Sequence, residues 1–165
     1  MSQILSRLLC LFMFLAAPSY ADVAEGYPFV AFDEGLRLAK SEHKPLFLYF
    51  GRYGCTWCDM TNKRAFVDPE VRRRYIANYV LVYVDTEGGR RLQLKSGEWI
   101  TEAELGARLK VFATPKFAFL DADGKLLGAT SGAKKVADLL AMDRFVSDKH
   151  YQTTTLPAFL RDELP

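Results

Sequence analysis

The chain has 165 residues, half of them hydrophobic, with 22 lysines and arginines against 20 aspartates and glutamates, for a formal net charge of +2. This length suits one domain with a single core. A balance so near neutral gives no electrostatic case for a nucleic-acid partner or an anionic membrane surface.

Residues 1–21 have the pattern of a cleaved secretory signal. Arg7 gives a short basic start, and Leu8 to Ala17 is an apolar run too short to span a bilayer. Ser19-Tyr20-Ala21 then supplies small residues before a cut ahead of Asp22. An uncleaved N-terminal anchor is the alternative. Cys10 sits inside the apolar run without the small residues of a lipoprotein site, so it is expected to leave with the leader. The working unit is then a single domain over 22–165, periplasmic or secreted. It has no second apolar stretch of spanning length, so no stable membrane insertion is expected after cleavage.

In that domain, Phe32, Leu36 and Ala39 stand at helical spacing, and Pro45 follows shortly, so a helix is expected over Ala31 to His43. Leu46 to Phe50 is a short apolar run rich in aromatics, expected as a buried strand. Cys55 to Phe66 lacks strong turn residues and is expected as a helix. Asp68-Pro69 is a helix start, with Asp as cap and Pro at the first helical position, and that helix runs to about Asn78. Val80 to Val84 is a second buried strand. Thr86 to Ile100 is polar, with a small hairpin expected around Lys95-Ser96-Gly97; a partner loop and an inert surface insertion are both open. Thr101-Glu102-Ala103-Glu104 is a capping box opening a helix to about Lys110. Thr114-Pro115 precedes a strand, Lys116 to Leu120. A turn over Asp121-Ala122-Asp123-Gly124 leads to its partner, Leu126 to Ala129. Val136, Leu139, Leu140 and Phe145 mark a last long helix. Leu156, Phe159, Leu160 and Leu164 suggest a tail that packs back on the domain. The order gives an α/β fold, a mixed sheet with helices on both faces.

The chemistry centres on Cys55-Thr56-Trp57-Cys58, placed between a buried strand and a helix. A structural staple would normally close a long loop, and this pair closes almost none. A zinc site needs more ligands than the pair provides. Only His43 and His150 remain, far apart in sequence, each beside a lysine and expected on the surface. A redox pair fits the position. At a helix N-terminus, free amides and the helix dipole favour a negative sulfur, which makes Cys55 the attacking thiolate. Cys58, one turn in, then resolves the mixed disulfide. Trp57 is expected to be exposed and to contact a partner. Arg72-Arg73-Arg74 is read as a solvated helix face rather than a docking patch. A proline opening a strand is ordinarily trans.

On Cys55-Thr56-Trp57-Cys58 after a strand and Thr114-Pro115 before the terminal hairpin, the chain resembles the thioredoxin superfamily. Asp68-Pro69-Glu70-Val71, separated from Cys58 by nine intervening residues, resembles the C-terminal domain of the electron conductor DsbD. The tail Lys149-His150-Tyr151 to Phe159-Leu160 is similar to the SoxW group of exported thioredoxins. The resemblance implies a thioredoxin-like domain from about Phe32 onward, with Cys55 attacking, Cys58 resolving, and Pro115 cis. Thr114, Pro115 and Trp57 then contact the substrate. It further implies a thiol–disulfide oxidoreductase that needs no cofactor, acts on protein disulfides or dithiols, and is recharged by a membrane electron donor. Three departures stand out: Gly54 where thioredoxins carry Trp, Thr56-Trp57 where they carry Gly-Pro, and Tyr49 where they bury an Asp. Asp59 is a candidate substitute for that acid, although a first-turn helix acid is its simpler role. A reductant is the expected direction. A copper-binding metallochaperone using the same two thiolates, or a non-catalytic partner protein, is the rival.

Overall fold

The computed structural model describes residues 23–164, so the expected leader and Cys10 lie outside the described residues. Four strands form the central sheet: β1 (Leu46–Gly51), β2 (Val80–Asp85), β5 (Lys116–Leu120) and β6 (Leu126–Ser131), in the order β2-β1-β5-β6. β1 runs parallel to β2 and antiparallel to β5, and β5 runs antiparallel to β6, so the sheet is mixed. A separate two-stranded ribbon pairs β3 (Arg91–Gln93) with β4 (Trp99–Thr101).

Alternation along β1 sorts its side chains to two cores. Phe47 and Tyr49 enter one, with Cys55, Cys58, Phe66, Tyr75, Phe117 and Phe145. Leu46, Leu48 and Phe50 enter the other, with Phe32, Val82, Leu92, Ile100 and Leu105. Every residue of β1 is buried because both faces are covered. The first core is rich in aromatic rings: Phe47 meets Tyr75 edge-on at 4.8 Å between centroids and stacks on Phe117 at 5.8 Å.

The helices lie close to their expected places. α1 (Phe32–Glu42) ends at His43, which takes a left-handed conformation, φ 54°, and donates its N–H to the Ala39 carbonyl. Gly35 lets this helix approach the sheet, since a Cβ there would stand 2.2 Å from Val82 Cγ2. α2 (Thr56–Arg64) is shorter than the expected Cys55–Phe66 segment. α3 (Pro69–Asn78) starts on Asp68, whose carboxylate accepts from the Glu70 and Val71 amides. α4 (Glu102–Arg108) opens with the Thr101–Glu104 capping box. α5 (Val136–Ser147), a 3-10 turn (His150–Gln152) and α6 (Leu156–Glu163) complete the chain, with Leu156 and Phe159 buried in the aromatic core.

The 86–100 insertion folds as the expected hairpin, and its inner residues Leu92 and Ile100 belong to the second core. Arg90 donates to buried Glu102 at 2.6 Å and ties the hairpin to α4. Upstream, Val30 forms a parallel bridge to Val82 on the outer edge of β2, donating to Leu81 O at 2.9 Å. Among the described residues no helix is long and apolar enough to cross a membrane.

Candidate active site

After β1 the chain turns through Gly54, whose φ of +67° lies in the left-handed region. A Cβ there would meet nothing within 4 Å, so it is the backbone conformation that favours glycine over the bulkier residue of the resemblance. The turn delivers Cys55 as the N-cap of α2, where its sulfur accepts the Cys58 N–H at 3.1 Å. Cys55 and Cys58 are joined by a disulfide, with their Cα atoms 5.2 Å apart. Cys55 is 6% exposed and Cys58 1%. The same amide that meets the sulfur here would face a thiolate in the reduced pair, adding a hydrogen bond to the favourable end of the helix dipole.

The Thr114–Pro115 peptide bond is cis. It brings the Thr114 hydroxyl to 3.3 Å from Cys55 Sγ. Pro115 O in turn accepts the Gly132 N–H at 2.8 Å, so the loop after β6 joins the same edge. That loop also reaches α2: the Lys134 N–H donates to Thr61 Oγ1 at 3.1 Å, and Thr61 donates to Trp57 O at 2.9 Å. The Lys134 ammonium is held by Ser131 O at 2.7 Å and Gly132 O at 3.0 Å. Partial burial lowers its pKa, against the attraction of Asp138.

Under the pair lies Tyr49, fully buried, its hydroxyl donating to Asn62 Oδ1 at 3.1 Å and reaching Cys58 O at 3.5 Å. A phenol therefore occupies the position where the resemblance implies a buried acid. Asp59 does not replace that acid, because it pairs with Lys63 at 2.9 Å on the exposed side of α2. Arg52 pairs with Glu87 at 3.4 Å.

All five residues singled out by the sequence, Cys55, Trp57, Cys58, Thr114 and Pro115, come together here. Trp57 is 58% exposed, as expected. Tyr53 and Phe112, 76% and 90% exposed, were not foreseen, nor was the loop carrying Lys134. Phe112 had a signal: a large ring two positions before Thr114-Pro115, beyond the last turn of a helix. The arginine run is not simply solvated. Arg72 bonds Glu25 O and lies over the Tyr27 ring, Arg73 pairs with Glu70, and Arg74 bridges Glu70 and buried Asp143. His150, expected on the surface, packs its ring on Phe159 at 4.6 Å between centroids. Among the described residues, no three His, Cys, Asp or Glu side chains cluster as a metal site.

A family model described as Thioredoxin-like domain matches residues 32–147. Mouse Spermatogenesis-associated protein 20 is 40% identical over 57 residues, which is 34% of this chain and 7% of that protein. Disulfide bond reductase DsbH of Chlamydia pneumoniae is 29% identical over 98 residues, covering 59% of this chain and 58% of DsbH. The chain thus spans only part of the length of these relatives. A thioredoxin from Thermus thermophilus superposes with a TM-score of 0.61 at 26% identity, covering 74% of this chain and 88% of that one. For the C-terminal domain of Neisseria meningitidis DsbD, the TM-score is 0.47 at 19% identity, covering 74% of this chain and 97% of that one.

Proposed function

The chain belongs to the thioredoxin-like domain family, and from that premise we propose that it is an exported thiol–disulfide oxidoreductase that reduces protein disulfides. One observation carries the reading: the Cys55–Cys58 disulfide caps a helix N-terminus, and the sulfur of Cys55 lies beside Thr114 at the cis-proline. The name of the chlamydial relative, a disulfide bond reductase, supports the direction.

In this mechanism, Cys55 in the reduced protein attacks one sulfur of a substrate disulfide as a thiolate. The substrate S–S bond breaks, a Cys55–substrate bond forms, and the departing substrate thiolate takes up a proton. Cys58 loses its proton and attacks Cys55 Sγ. The mixed disulfide breaks, the second substrate thiol leaves, and the Cys55–Cys58 disulfide remains. Two electrons have moved to the substrate, and a dithiol donor, proposed to be membrane-held, must return them. Thr114 and Pro115 line the substrate side, and Trp57 contacts the partner. The leader pattern over 1–21 supports a periplasmic or secreted location for 22–165, and the Lys149 to Leu160 tail supports a place near the SoxW group.

Reduction of insulin disulfides by dithiothreitol, followed by turbidity, tests the reading. Acceleration by the wild type, and none by Cys55→Ser, is expected. Equal rates for the two would leave the copper-binding or non-catalytic alternatives, which metal content after purification separates.

A further inference from the structure

We propose that the surface over Cys55 selects its partners at two ends, taking an apolar side chain at Phe112, Tyr53 and Trp57 and a carboxylate at Lys134. The occupant is an extended, cysteine-bearing segment of another protein. The proposal rests on the reading that Cys55 exchanges disulfides.

Four aromatic side chains are strongly exposed among the described residues: Tyr53, Trp57, Trp99 and Phe112. Three of them lie within two residues of the Cys55–Thr114 contact: Tyr53 before Cys55, Trp57 after it, and Phe112 before Thr114. These three make no ring contact with one another or with any other described aromatic. An aromatic left in water gains most when a partner covers it, and such rings dominate interface energies. Phe112 has no packing role to explain it, since the ring is 90% exposed.

Charge defines the other end. The carboxylate on α2 and the one that meets Arg52 beyond β1 are already engaged: Asp59 with Lys63 and Glu87 with Arg52. Lys134 has no carboxylate within ion-pair distance among the described residues. Its ammonium rests on two carbonyls of the loop whose Gly132 amide bonds Pro115. Asp138, the acid whose charge acts on it, accepts the Lys135 N–H at 2.6 Å instead. Phe112 and Lys134 therefore flank the Thr114–Pro115 edge, one on the chain leading in and the other on the loop bonded to its far side. Between them, the Thr114 backbone N–H and C=O make no hydrogen bond among the described residues. That leaves them free to pair with an extended strand, the mode in which main-chain bonds give affinity and side-chain pockets give choice.

The test measures kcat/KM, with dithiothreitol returning the electrons to Cys55 and Cys58 and its uncatalysed rate subtracted, on two cysteine peptides, each supplied as the mixed disulfide with mercaptoethanol. One carries Leu and Asp on either side of the cysteine, tried in both orders, and the other carries Ser at both positions. Hydroxyethyl disulfide serves as a substrate with neither feature. We expect the better Leu/Asp order to exceed the Ser peptide by about tenfold or more. Phe112→Ala should remove most of the part due to Leu. Lys134→Gln should remove the part due to Asp, together with its weakening by salt. Turnover of hydroxyethyl disulfide without peptide preference, or variants that both keep the wild-type ratio, overturns the selection alone. Turnover of none of the three substrates overturns the oxidoreductase reading, and the selection with it.

Discussion

Tyr49 holds the inner face of α2 with a neutral group. Its hydroxyl meets Asn62 and approaches the Cys58 carbonyl from inside the aromatic core. Tyr49→Phe keeps the ring and removes one part-buried hydrogen bond to Asn62, so unfolding in urea should show a loss of about 1 kcal/mol. Unchanged stability would mean that the hydroxyl contributes nothing there. At the pair itself, the asymmetry between the cysteines should be directly readable. In the reduced protein near neutral pH, timed iodoacetamide labelling with peptide mapping should find Cys55 modified first. In Cys58→Ser, mixed disulfides with exported proteins should accumulate, because the attack survives and the resolution does not. Preferential labelling of Cys58 would reverse the two roles. In the sequence, Tyr49 is visible only as the absence of an expected acid. Where its hydroxyl points depends on Asn62, four residues beyond Cys58 on a helix whose rotation no local pattern specifies.

Among the elements, the strands and caps were the most legible. Asp68-Pro69 and Thr101 to Glu104 name their own helix starts because the capping residues act within one turn. α2 is shorter than its sequence pattern implies at both ends. Cys55 caps the helix rather than joining it, and Ala65 leaves the regular conformation before Phe66 turns into the core. The hairpin follows its sequence pattern, but its attachment does not show there, since the Arg90–Glu102 pair joins residues 12 apart, on either side of the hairpin. Burial raises the Glu102 pKa above its ordinary 4.5 despite Arg90. A carboxyl held more protonated in the folded state contributes stability that is fully present below 4.5 and is lost as pH rises through the folded value. Glu102→Gln stays neutral, so its stability relative to the wild type should climb between about pH 4 and about pH 7. Urea midpoints at both pH values would show this, and a constant difference would refute it. At the C-terminal end, Phe159 packs against Phe145 at 5.5 Å between centroids. Phe159→Ala should therefore cost about 3 kcal/mol and lower Tm clearly. A Tm near the wild type would mean that α6 contributes little to the fold.

For the whole molecule, the redox poise follows from the charges around Cys55. The helix N-terminus and the Cys58 amide favour its thiolate, while Arg52 shares its charge with Glu87 and Asp59 shares its own with Lys63. Thr56 and Trp57 add neither a cation nor an imidazole. With no further stabilisation of the thiolate, the potential should lie nearer the roughly −270 mV of thioredoxin than the roughly −120 mV of DsbA. Equilibration with glutathione and quantified alkylation would measure it. A value more positive than about −180 mV would reassign the protein as an oxidase or isomerase. The way α6 closes the fold has a further consequence. Leu156 Cβ would lie 3.0 Å from a Cβ on Gly128 of β6, and Phe159 packs against Phe145, so this helix helps to seal the same core that holds the cysteine pair. A chain cut before residue 156 would keep every described strand yet leave an open seam along Gly128 and Phe145, exposing apolar surface of the kind that drives misassembly.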